Sequence, residues 1–183
     1  MGVIILHNKN KELLIIRNGY QVFGGENADS TYNIWSCSKT FTSTVLGLLV
    51  DDGVLSLDDR AVEDEPLLDP YYREVTYLHF VTMTSGYSAE GDSRWDDADY
   101  SDWSPTVYKP GEPLFAPGSA FAYWDEAQMM FGRCLTQVLG EPMHDFLKDR
   151  VTDHIGMGED GHPDQPDEVY GEFLRLLEEA ILR

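Results

Sequence analysis

The sequence predicts an α+β fold in one domain spanning residues 1–183, with an antiparallel hairpin near the start and a mostly helical remainder. Three observations carry this reading. An Asn18-Gly19 pair stands between two apolar, strand-like runs. From residue 36 onward, apolar residues recur at spacings of three and four. A chain of 183 residues with 42% hydrophobic content can bury one substantial core but is too short for two independent ones.

The hairpin comes from Leu13-Leu14-Ile15-Ile16, then Arg17-Asn18-Gly19, then Tyr20-Gln21-Val22-Phe23. Asn-Gly between two such runs is a strong hairpin signal, because both central turn positions need positive φ. Residues 3–6 form a further candidate strand, set apart from the hairpin by Asn8-Lys9-Asn10. The pattern turns helical over residues 36–50, where Phe41, Val45, Leu48 and Leu49 share a face and Gly53 supplies the stop. Thr40, Thr42, Ser43 and Thr44 are small enough for this helix to sit in the middle of a domain. Residues 75–83 predict a short helix ending at Thr84-Ser85-Gly86-Tyr87.

Residues 88–117 are rich in Asp, Ser, Trp, Tyr, Pro and Gly without a steady period, and read as a long irregular loop. Within it, residues 97–102 lack the turn glycine and closing glutamate of a calcium loop. Helices follow over 125–139, stopped by Gly140, and over 142–151. Over 167–182, Val169, Phe173, Leu176, Leu177, Ala180 and Ile181 line one face of an amphipathic helix.

Charge narrows the partners. Asp and Glu number 33 against 13 Lys and Arg, a formal net charge of −20, and such a field repels phosphate backbones, so nucleic acid is not an expected partner. The excess reads as a solvated acidic surface, or as adaptation to high salt, where counterions screen self-repulsion. No run approaches the roughly 20 apolar residues that span a bilayer. The opening Met1-Gly2-Val3-Ile4-Ile5-Leu6 has neither a basic leader nor a small-residue cleavage site, so the default expectation is cytoplasmic. Cys37 and Cys134 form no disulfide framework and no metal-ligand spacing.

The chemistry concentrates at Ser36-Cys37-Ser38-Lys39, which fits S-x-x-K. On a helix, side chains at i and i+3 share a face, so the Lys39 amine can reach the Ser36 hydroxyl. A lysine whose pKa is lowered by desolvation and nearby positive groups can take the serine proton and make a nucleophile. The alternative for Ser36 is a helix cap.

The run Ile34-Trp35-Ser36-Cys37-Ser38-Lys39-Thr40-Phe41-Thr42-Ser43, with Leu46-Gly47-Leu48-Leu49, Asp52-Gly53 and Leu57-Asp58-Asp59 after it, resembles the first active-site region of the class C β-lactamase-related serine hydrolases. Residues 75–87 are similar to that family's next landmark, a helix and turn written L-L-x-H-x-S-G, with Met83 where many members have histidine. Tyr123-Trp124-Asp125, preceded by Pro117-Gly118-Ser119, stands in the place of the family's Tyr-x-Asn motif. The resemblance implies an α/β sandwich of β-lactamase type, with an antiparallel sheet, flanking helices and a helical subdomain. It also implies an acyl-enzyme at Ser36, with Lys39 and Tyr123 moving the proton and Asp125 contacting substrate. Asp125 keeps an acceptor oxygen but loses the amide donor of asparagine.

The family's third motif, K-T-G or H-x-G on a later strand, is missing. His154-Ile155-Gly156 matches H-x-G literally but lies where the family ends its second helix. The later sheet strands are therefore expected to be absent, between about 158 and 166, leaving the sheet incomplete. The substrates implied are small esters, amides or β-lactams, with no metal or organic cofactor. The rival reading is a non-catalytic, truncated remnant or binding module. An incomplete sheet leaves an edge through which copies can self-associate.

Overall fold

The structure, a computed structural model, describes residues 13–26, 35–91 and 106–155. Its contacts divide the chain into two compact units, Met1–Asn33 and Ile34–Arg183. The expected strand over residues 3–6, the rejected calcium loop at 97–102, the gap at 158–166 and the helix over 167–182 lie outside the described residues.

In the first unit, β1 (Leu14–Arg17) pairs antiparallel with β2 (Tyr20–Gly24). Asn18 and Gly19 take φ of 51° and 79°, the double positive φ of a type I′ turn, whose twist matches that of the flanking strands. Arg17 faces Tyr20 and Ile16 faces Gln21, but Ile15 faces Phe23, so Val22 is an extra residue on β2. Such a bulge bends the strand and sharpens its twist. Both strands are exposed along their whole length, including Leu14, Ile15, Ile16, Val22 and Phe23. Among the described residues these two strands make up the sheet.

The second unit holds the core. Residues Trp35–Ser38 form a 3₁₀ turn that runs into α1 (Lys39–Asp51). The buried stripe of α1 is Thr42, Val45, Leu46 and Leu49. Phe41 and Leu48, expected inside, are only half-buried, and Ser43 and Gly47 face solvent. The helix is therefore not enclosed on all sides, because the small residues that would permit burial are not covered among the described residues.

Two 3₁₀ turns, Ala61–Glu63 and Pro66–Leu68, occupy a stretch that periodicity leaves unassigned. The second is fixed by Glu65, whose carboxylate accepts from the Leu67 amide at 3.0 Å and from Arg133 Nε at 2.5 Å. Helix α2 (Tyr77–Val81) opens with a capping box in which Thr76 and His79 satisfy each other's backbone amides. Helix α3 (Asp125–Leu139) ends at Gly140, as its sequence predicts.

The helix expected over 142–151 is shorter. Helix α4 (Met143–Leu147) widens into a π-helical stretch, Lys148–Thr152, and then tightens into a 3₁₀ turn, Asp153–Ile155. His154 and Ile155 thus lie on a helical turn and not on a strand, so an H-x-G motif in its strand setting is not formed there.

The core gathers around Phe80, which stacks on Phe131 with ring centroids 5.8 Å apart and meets Tyr87 at 6.4 Å. Val45, Leu49, Met130 and Leu135 pack in the same cluster. The described ends of the long loop are stitched together. Ala89 bridges Pro110, the Glu90 amide donates to Lys109 at 2.7 Å, and the buried Tyr72 hydroxyl bonds the carbonyls of both Ser88 and Gly111.

Candidate functional site

The nucleophile candidate sits on the 3₁₀ turn and not within the α-helix. The tight 3₁₀ turn runs directly into α1, whose first residue, Lys39, lies three positions after Ser36 with its side chain beside it. Lys39 Nζ donates to Ser36 Oγ at 3.1 Å. The N-cap of α1 is Ser38, whose side chain makes no capping hydrogen bond. Trp35, immediately before it, holds φ of 47° and is 81% exposed. A non-glycine residue in this left-handed region costs about 1–2 kcal/mol, and such strain tends to collect at functional sites.

Tyr123 reaches the same atom from 87 positions along the chain, its hydroxyl donating to Ser36 Oγ at 2.5 Å. The backbone explains its aim. The turn at residues 83–86 receives the approaching segment through three backbone hydrogen bonds: the amides of Leu114, Gly118 and Ala122 donate to the carbonyls of Gly86 at 2.9 Å, Thr84 at 2.9 Å and Met83 at 3.1 Å. Gly86 must be glycine, since its φ is 70° and a Cβ would meet the Phe115 carbonyl oxygen at 2.2 Å. Met83 also has a positive φ, 57°, and contributes through its carbonyl. Replacing histidine there removes a side-chain hydrogen-bonding group and leaves this backbone contact in place.

Trp124 is extended and 3% exposed, so it anchors the segment while its neighbours Tyr123 and Asp125 project to the opposite side. This is the physical content of the Y-x-D spacing. Asp125 Oδ1 lies 2.5 Å from Lys39 Nζ, with side chains 15% and 11% exposed, and Nζ is 4.8 Å from the Tyr123 ring centroid. Ser36, Lys39, Tyr123 and Asp125 therefore form one cluster.

The expected lowering of the Lys39 pKa is not what this cluster produces. Burial does pull it down, but the hydrogen bond and negative charge of Asp125, joined by Tyr123, outweigh burial and hold the amine above the ordinary lysine value. The sequence reading gave Asp125 to substrate and missed it as the partner of Lys39. Nothing local signals a pairing across 86 positions. The backbone contributions of Met83 and Thr84 were missed for the same reason. Among the described residues no group of three His, Cys, Asp or Glu is placed to hold a metal, and no helix is long and apolar enough to cross a membrane.

Known proteins resemble this chain in sequence and in fold. A β-lactamase from Pseudomonas fluorescens is 29% identical over 160 residues, covering 78% of this chain and 43% of the relative. The octameric penicillin-binding protein homologue from Pyrococcus abyssi is 26% identical with a TM-score of 0.59, over 79% of this chain and 38% of that one. A D-stereospecific amidohydrolase from Streptomyces is 26% identical with a TM-score of 0.55, over 68% of this chain and 42% of that one. The chain thus spans less than half the length of these relatives, and its fold is the β-lactamase-type α+β fold, with a two-stranded part of the sheet among the described residues. The family profile described as Beta-lactamase matches residues 11–171, and on that match the chain belongs to the β-lactamase family of serine hydrolases.

Proposed function

We propose that this chain, as a single β-lactamase-related domain lacking the later strands of the sheet, forms an acyl-enzyme on Ser36 with small ester, amide or β-lactam substrates. The observation that carries the reading is the convergence of Lys39 Nζ and the Tyr123 hydroxyl on one serine oxygen. In the acylation step Ser36 Oγ bonds to the acyl carbon as its proton passes to the Lys39–Tyr123 pair. The carbonyl electrons move onto oxygen, and collapse of that oxyanion breaks the bond to the leaving alcohol or amine, which takes the proton back. Water then repeats the sequence on the acyl-enzyme. Every group named is a side chain of this protein, and the chemistry needs no metal or organic cofactor.

The substrate classes are supported by relatives described as a β-lactamase and an amidohydrolase. Turnover is expected to be weak. One oxyanion donor would be the Ser36 amide and its companion belongs to the missing third motif, and loss of one such donor typically costs about 100-fold to 1000-fold. The raised Lys39 pKa favours the second reading, a non-catalytic β-lactamase-fold remnant or binding module.

A fluorophosphonate probe followed by peptide mass spectrometry tests the central claim. The adduct is expected on Ser36 and is expected to vanish in Ser36→Ala. An adduct that survives this substitution removes Ser36 from the mechanism. Steady-state assays with a chromogenic ester and a cephalosporin then separate a hydrolase from a chain that acylates without turning over.

A further inference from the structure

An uncharged amide and a carboxylate have the same shape but act differently on a neighbouring ammonium. The Tyr-x-Asn pattern that this sequence resembles places asparagine where this chain has Asp125. Asp125 is 2.5 Å from Lys39 Nζ, and both side chains are largely sheltered from water, where an ion pair is screened far less than at the surface. It also occupies the first turn of α3, a 15-residue helix whose N-terminal end favours negative charge. Among the described residues, Asp125 faces Nζ from the start of α3 and Tyr123 from the extended segment before it, while Ser36 faces it from the 3₁₀ turn.

We propose that Asp125 is a positioning residue that locks Lys39 in its ammonium form and so restrains acylation of Ser36, a restraint absent when asparagine stands in its place. The proposal rests on the Ser36 acyl-enzyme reading above. Proton balance makes the restraint concrete. To accept the Ser36 proton, Lys39 must first release one of its own, and that release leaves the Asp125 carboxylate beside a neutral amine in a sheltered site. The pair is then broken at the moment the nucleophile forms. An amide at 125 can still accept a hydrogen bond from Lys39, but it loses no ionic partner when the lysine gives up its proton. Burial by itself lowers the Lys39 pKa, so removing the charge leaves that influence opposed by Tyr123 and by the weaker hydrogen bond of an uncharged amide.

The test compares the wild-type chain with Asp125→Asn and Asp125→Glu between pH 6 and 11, with thermal melts to verify folding. Two readouts are taken: the rate at which Ser36 is phosphonylated by a fluorophosphonate, which expels fluoride and draws on the same deprotonated serine as acylation, and the reactivity of the Lys39 amine toward dinitrofluorobenzene, which requires no catalysis. In Asp125→Asn the Lys39 midpoint is expected to fall by about one pH unit or more, giving about tenfold more free amine at pH 8. The rising limb of the phosphonylation profile should move to lower pH with it, and the rate at pH 8 should rise about tenfold. Asp125→Glu, which keeps the charge, should keep the high midpoint.

An unchanged Lys39 midpoint in Asp125→Asn overturns the proposal. So does a lowered midpoint with Ser36 phosphonylation that is slower or unshifted in pH. A lowered midpoint with no Ser36 adduct in any variant upholds the lock on Lys39 and overturns the Ser36 reading instead, so the two failures are distinguishable.

Discussion

The hairpin and the helical unit use similar residues to opposite ends. Leu14, Ile15, Ile16, Val22 and Phe23 are apolar and exposed, whereas Phe80, Phe131, Leu135 and Val45 are apolar and fully buried. Two strands hydrogen-bond each other well but cannot cover either of their faces, and an isolated hairpin is marginal for that reason. Helices α1, α2 and α3 instead present stripes to one another and close a core around the Phe80–Phe131 stack. Local turn chemistry therefore sets the register of the hairpin, while the core of the second unit needs contacts between residues far apart in sequence. The serine cluster belongs to the second kind.

This contrast can be broken most sharply at Phe80. Phe80→Ala removes a ring at the centre of the core and is expected to cost about 4 kcal/mol in urea or guanidinium unfolding. A loss below about 1 kcal/mol would show that the core is centred elsewhere. An intermediate effect is expected at Gly118, which holds φ of 75° and whose Cβ would lie 3.2 Å from His79 Nε2. Gly118→Ala should cost about 1–2 kcal/mol. It should also slow probe labelling at Ser36 by more than the lost stability explains, because the same segment carries Tyr123. Labelling that falls only in proportion to unfolding would separate the glycine from the site. The smallest effect belongs to the hairpin, where Ile16→Thr should change stability by no more than about 0.5 kcal/mol. If exposed apolar residues there drive self-association, light scattering should fall in this variant, and unchanged scattering would place the association elsewhere.

What the sequence disclosed follows the same division. The Asn18-Gly19 turn was readable because both of its residues need a conformation that few others tolerate. Helix α3 and its end at Gly140 were readable from a steady period and a terminal signal. Ser36 and Lys39 were readable as a pair because three positions separate them. Tyr123 was reached only through resemblance, since no local rule brings it to Ser36 Oγ. The 3₁₀ turns between residues 61 and 68 escaped because their shape depends on Glu65 meeting Arg133, 68 positions away. The pitch change after Leu147 escaped because residues 142–151 carry no signal that separates π from α geometry. The Lys39–Asp125 pair escaped because no local signal joins residues 86 positions apart.

Tyr123 is tied to the turn at residues 83–86 through main-chain atoms, with the Met83 and Thr84 carbonyls receiving the amides of Ala122 and Gly118. Main-chain atoms are common to every amino acid, so the identity of the side chain at 83 is separable from the aim of the tyrosine. A lineage can exchange histidine for methionine at that position and still inherit the same approach to the serine. Divergence at this landmark is then a poor gauge of lost chemistry, whereas a single-atom exchange of nitrogen for oxygen at position 125 alters the charge of the whole cluster.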